Sequence, residues 1–184
     1  MALKATIFRA ELQVADTVRH HYGDHSLTLA RHPSETDERM MVRLLAFALD
    51  ADEALAFGRG LSAEREPDLW RHDLTGNIAH WIEVGLPDER DLRRACGRAA
   101  RVTVYAYGGS KARMWWDANG EALQRNDNLE VLEIAPESSA ALAALAQRTM
   151  KLQCTVQEGT AWVSDGAITV QVEPVVRKAL AGRG

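Results

Sequence analysis

The chain has 184 residues, 46% of them hydrophobic, and a formal net charge of -4. That length suffices for one domain with a substantial core, and a charge balance this close to neutral lacks the basic face that usually marks polyphosphate binding. Nucleic acid stays among the candidate partners without support from net charge, and no protein partner is specified. The two cysteines, Cys96 and Cys154, fall in no metal-ligand spacing and read as free thiols. The opening Met-Ala-Leu-Lys-Ala-Thr has no charged leader followed by an apolar run, and no segment reaches the length of a membrane span. A soluble cytoplasmic protein with no membrane partner is expected.

Residues 4–14 alternate as a strand does, and 25–31 do so again after a polar stretch containing Gly23-Asp24, which predicts an N-terminal hairpin. Ser34, the acidic turn Glu35, Asp37 and Glu38, and the apolar run Met40–Leu49 predict a capped helix of about four turns. Pro67–Asp73 and Ile78–Val84 read as two strands reversed through Leu74-Thr75-Gly76-Asn77. Pro87 opens a second helix, with Leu92, Ala95, Cys96 and Ala99 on its apolar stripe. Val102–Tyr107 is a strand ended by Gly108-Gly109, and a short helix through Trp115-Trp116 leads to a strand at Leu129–Ile134. A helix over 136–147 follows. From Lys151, turns at Glu158-Gly159 and Asp165-Gly166 predict a three-stranded meander ending near Val176.

The chemistry-bearing stretch is Pro67-Asp68 followed by Glu83-Val84-Gly85. Alternation puts Asp68, Trp70 and His72 on one strand face, and Trp81, Glu83 and residue 85 together on the next strand. This spacing resembles the acidic half of a PD-(D/E)xK nuclease site, with Gly85 standing where the lysine would be. Asp68 is preferred to Asp73 because Pro67 precedes it. Glu38 lies roughly 140° round the helix from Arg43, taken as the solvent direction, so its carboxylate should be buried or line a cavity. Oxygen ligands from Glu38, Asp68 and Glu83 would suit Mg2+ or Mn2+. Lys111 is the first candidate to replace the missing lysine, with Arg94 and then Lys151 behind it. Asp68, Glu83 and Lys111 are then the expected catalytic set. His20, His21, His25 and His32 read as exposed hairpin residues, and Trp115-Trp116 as core and cover. Gly108-Gly109 lacks the rest of a phosphate-loop signature.

Three blocks carry a wider likeness: Arg31-His32-Pro33-Ser34-Glu35-Thr36-Asp37-Glu38-Arg39-Met40-Met41, Trp81-Ile82-Glu83-Val84-Gly85-Leu86-Pro87-Asp88-Glu89-Arg90, and Arg148-Thr149-Met150-Lys151-Leu152-Gln153. They resemble the bacterial YaeQ family over almost the whole chain. The resemblance implies an α/β fold that varies the PD-(D/E)xK nuclease core, with extra β-structure and no established reaction. The expectation is therefore a single domain over 1–184. A nuclease-like mixed sheet flanked by helices occupies about 34–135, with an N-terminal hairpin in 1–33 and a C-terminal meander in 150–177. Two functions compete: metal-dependent phosphodiester hydrolysis, and a non-catalytic binding protein that keeps the fold and its acidic pocket.

Overall fold

The computed structural model describes residues 4–59 and 66–182. β1 (Thr6–Asp16) and β2 (His21–Arg31) form an antiparallel hairpin in unbroken register. Phe8, Ala10, Leu12 and Val14 are buried while their neighbours face outward, the period of two expected of a sheet with one covered face. The second strand starts at His21, earlier than the alternation suggested, and Gly23-Asp24 lies inside it. The reversal falls on residues 17–20, where His20 takes a positive φ of 56°. His21 and His25 turn to the inner, half-buried face, which corrects their assignment as exposed residues; His20 is exposed.

The expected meander is present as β8 (Thr149–Gln157), β9 (Thr160–Ser164) and β10 (Thr169–Val172). It is not a separate appendage. β8 pairs in parallel with β1, so hairpin and meander make one five-stranded sheet in the order β10-β9-β8-β1-β2. Met150, Leu152, Cys154 and Val156 continue the buried face begun by β1.

A second sheet holds β3 (Leu55–Phe57), β4 (Leu69–His72), β5 (Ile78–Val84), β6 (Ala99–Tyr107), β7 (Leu129–Ile134) and β11 (Val175–Lys178), in the order β11-β7-β6-β5-β4-β3. Its three central strands run parallel. They are joined by crossovers through α2 (Glu89–Arg98) and α3 (Ser110–Leu123), as parallel neighbours require. The short edge strands β3 and β11 were not foreseen. Helix α3 is longer than its Trp pair suggested, and α2 begins after the N-cap Asp88.

Helix α1 (Asp37–Leu49) is capped by Thr36, whose Oγ1 accepts from the Arg39 N–H at 3.1 Å, and not by Ser34. It lies with α4 (Pro136–Ala144) between the two sheets, and every residue from Met40 to Ala48 is buried. A helix apolar nearly all round has no solvent side, so Arg43 cannot mark one. Arg43 is only 2% exposed; its Nε and Nη2 donate to the two oxygens of Glu35 at 2.8 Å each. Burial of side chains such as Leu44, Leu45 and Phe47 contributes roughly 1.5–3 kcal/mol each. The second core, on the far face of the six-stranded sheet, joins Leu92, Val102, Val104, Leu123 and Val131 under α2 and α3. The layers are thus sheet, helices, sheet, helices.

In the entering halves of β5 and β6, Thr103 Oγ1 donates to Glu130 Oε1 at 2.9 Å and therefore accepts from His80 Nε2 at 2.8 Å. Burial first, and then the Arg101 charge, pull His80 down to about 3, so it stays neutral. Both thiols are free, and burial pushes Cys96 up to about 11 and Cys154 to about 12, which makes them poor nucleophiles. No helix among the described residues is long and apolar enough to cross a membrane.

Candidate functional site

The leaving ends of β5 and β6, the start of α3 and the first turn of α1 surround a cavity of about 690 Å³. Its wall includes Glu38, Arg39, Gly85, Tyr107, Ser110 and Lys111. Ligand crevices of open α/β sheets form at the carboxyl ends of parallel strands, where crossover helices begin. Gly85 and Gly108 shape the rim, with φ of +105° and +122° that a side chain would strain.

Asp68 and Glu83 come together behind this wall. The pairing of Leu69 with Ile82 sets them side by side, on the face where the Trp70 and Trp81 rings meet at 6.3 Å. Asp68 Oδ2 accepts from the Val84 N–H at 2.7 Å, and Oδ1 accepts from Arg39 Nη2, also at 2.7 Å. Glu83 Oε1 accepts from Trp81 Nε1 at 2.7 Å. Burial first, and then the Asp68 charge, push Glu83 up to about 8, against the opposing effects of the Trp81 bond and Arg39. Glu83 therefore holds its proton at neutral pH.

Arg39 is the residue that sequence reasoning missed. Its Nη1 donates to Glu35 Oε1 at 2.9 Å, and its Nη2 reaches the Val84 carbonyl at 3.3 Å as well as Asp68. Burial opposes the charge, but Asp68 and Glu35 outweigh it and raise the guanidinium's pKa further. The signal lay in the spacing: Arg39 and Arg43 stand one turn apart on α1, and Glu35, four residues before Arg39, lies just ahead of the N-cap within reach of both.

Glu38 lines the cavity, and its Oε1 accepts from Ser139 Oγ of α4 at 2.6 Å. Lys111 stands at the lip beyond Gly108-Gly109, exposed and with no ion pair among the described residues. Arg94 pairs with Asp91 on the outside of α2, at 3.3 Å. Asp73 is a turn residue, accepting from the N–H groups of Thr75 and Asn77. Lys151 lines a different cavity, on the outer face of the five-stranded sheet. Gly85 lies beyond the end of β5, so strand alternation no longer fixes where a side chain there would point.

A divalent ion does not fit these side chains as they stand. Among the described residues no three or more Asp, Glu, His or Cys side chains are grouped to hold one. Asp68 Oδ1 and the Val84 carbonyl, two oxygens that a hard cation would use, already share Arg39 Nη2.

Comparison with known proteins agrees with this architecture. A family model described as YaeQ protein matches residues 1–174. The chain belongs to the YaeQ family. It is 50% identical over 173 residues to the uncharacterized protein YaeQ of Escherichia coli (strain K12), covering 94% of this chain and 95% of that one. It is 48% identical over 174 residues to the uncharacterized protein YaeQ of Salmonella typhi, covering 94% and 96%. The crystal structure of YaeQ protein from Xanthomonas axonopodis pv. citri superposes with a TM-score of 0.92 at 50% identity, over 95% of this chain and 99% of that one. The YaeQ protein from Pseudomonas syringae gives 0.91 at 37% identity, over 95% and 97%. The family's mixed α/β fold with two sheets is thus the fold of this chain.

Proposed function

We propose that this chain is a non-catalytic binding protein built on a nuclease-type frame, and that its cavity takes a small anionic ligand such as a phosphate ester. One observation carries the reading: the Arg39 guanidinium bridges Asp68 Oδ1 and the Val84 carbonyl, the position a divalent ion would take. With Glu83 held neutral and Asp68 already paired to Arg39, little net charge is left to attract such an ion. What remains open to the cavity is Lys111 and the start of α3, whose cap residue Gly109 offers no side-chain bond to the first N–H groups. Uncapped N–H groups and a nearby ammonium favour an anion. Glu38 supplies an acceptor for a hydroxyl or amino group on the same ligand.

The alternative, metal-dependent phosphodiester hydrolysis on PD-(D/E)xK lines, draws on one observation of its own: Asp68 and Glu83 are adjacent, and a cation could displace the Glu83 proton. Calorimetry separates the two. The binding reading expects saturable heat with pyrophosphate that Lys111→Ala removes, and no heat with Mg2+ or Mn2+ at millimolar concentration. Mn2+ binding lost in Glu83→Gln, together with cleavage of single- or double-stranded nucleic acid, would establish the hydrolase instead.

A further inference from the structure

On β2, far from the acidic pair in sequence, His21 and His25 occupy inner-face positions four residues apart, a strand separation of about 13 Å between α-carbons. Their side chains nevertheless meet: the two Nε2 atoms are 3.0 Å apart. The ring centroids stand 5.3 Å apart at an interplanar angle of 16°, so the imidazoles face each other edge to edge, nitrogen to nitrogen. Gly23 lies between them, and a Cβ there would stand 3.5 Å from both Nε2 atoms, in ordinary van der Waals contact. The His25 ring is braced from α1 by the edge of Phe47 at 5.1 Å, and Phe47 in turn stacks on Phe57 of β3 at 5.7 Å. Two nitrogens at this distance share one proton, one ring donating and the other accepting.

We infer that His21 and His25 form a two-imidazole site for a transition-metal ion of the Zn2+, Ni2+ or Cu2+ class. Imidazole suits these ions, and zinc–nitrogen bonds of about 2.0–2.1 Å set ligand nitrogens about 2.9 Å apart at a right angle and about 3.4 Å apart at the tetrahedral angle. The observed 3.0 Å lies between them. Turning each ring by about 35° aims both lone pairs at one tetrahedral ion in place of the shared proton. The proton on the donating Nε2 moves by way of solvent to Nδ1 of the same ring, so two neutral imidazoles bind the ion with no net proton release. Asp24 points to the opposite face of the strand and does not ligate. The described residues supply no third ligand grouped with the pair, so water completes the coordination.

The test is calorimetric titration of the full chain with Zn2+ at pH 7.5, paired with Cu2+ electron paramagnetic resonance. One ion per chain is expected, with two-nitrogen hyperfine structure in the Cu2+ spectrum. His21→Ala and His25→Ala should each weaken binding about tenfold or more, while His20→Ala and Glu83→Gln leave it unchanged. Thermal melting guards against misfolding: Zn2+ should raise the melting temperature of the wild type and not of folded His25→Ala. Absence of saturable Zn2+ binding by the wild type would leave only a proton-sharing pair and overturn the assignment. Undiminished binding by His21→Ala/His25→Ala would overturn it equally, by placing the ion elsewhere.

Discussion

Replacing Arg39 by glutamine removes the cation on which the candidate site is organised, and the structure sets the size of the effect. Glu35 is not orphaned, because Arg43 still donates to both of its oxygens at 2.8 Å. Asp68 is left with the Val84 N–H and a neutral Glu83, at 4% exposure. Breaking a buried ion pair costs about 3–5 kcal/mol, and the 16% exposure of the Arg39 side chain points to the lower end, about 3 kcal/mol. For a chain of this size that is a fall of roughly 6–12 °C in Tm. The assay is urea denaturation of Arg39→Gln and wild type across a Mn2+ series. With the guanidinium gone, Asp68 Oδ1 and the Val84 carbonyl are free for an ion, so Mn2+ should stabilise the variant, by about 2.7 kcal/mol at a hundred times its Kd, and leave the wild type unmoved. A loss below about 1 kcal/mol, the range of exposed pairs, would refute the buried-pair reasoning. An equal Mn2+ response in both proteins would refute the claim that Arg39 stands in for the ion.

Glu83 gives a pH dependence whose sign follows from its raised pKa. Between the ordinary value of 4.5 and about 8 the folded protein holds a proton that the unfolded chain has lost, so wild-type stability falls as pH rises through that window; urea melts from pH 5 to 9 should show a flatter profile for Glu83→Gln. Gly85→Lys meets no atom within 4 Å of its new Cβ, but its φ of +105° is unfavourable to any L side chain, so it should cost about 1–3 kcal/mol and yield no nuclease activity in Mn2+. Unchanged melting with new cleavage would show that the glycine had merely vacated a lysine position.

The fold was legible where a period repeats. Alternation located β1, the meander and the β4–β5 pair, but it left Asp68 and Asp73 as alternatives, and Pro67 before Asp68 decided between them; the pairing of Leu69 with Ile82 sets Asp68 beside Glu83. Alternation failed where tertiary context decides. Arg43 is the one charge in a run of apolar residues, and such a run signals a helix buried all round; its partner, Glu35, lies eight residues earlier and outside the helix. Gly85 looked like the next residue of a strand, but the strand ends at Val84 and the backbone turns. β3 and β11 are three and four residues long, too short to set a pattern. The Nε2 contact of His21 and His25 was readable in principle, since a histidine, a glycine and a histidine recur at every second position of one strand, but which face they took depended on where β2 began.

The same alternation explains why the acidic pair alone does not define a function. A site that works through an exchangeable divalent ion must be free to bind and release it, which requires net negative charge and open coordination positions. Here the counter-charge, Arg39, is covalently part of α1, and it shares Glu35, just ahead of the helix, with Arg43, whose bidentate bond to Glu35 anchors the group. A charge fixed in this way pairs with Asp68, while burial and the Asp68 carboxylate keep Glu83 protonated against the opposing pull of Arg39. Supplying the absent lysine at position 85 would therefore add a cation to a site that is already neutral, on a backbone that resists it. On the binding reading proposed above, two barriers of different origin, one electrostatic at Arg39 and one conformational at Gly85, stand between this site and metal-dependent cleavage, and removing either leaves the other in place.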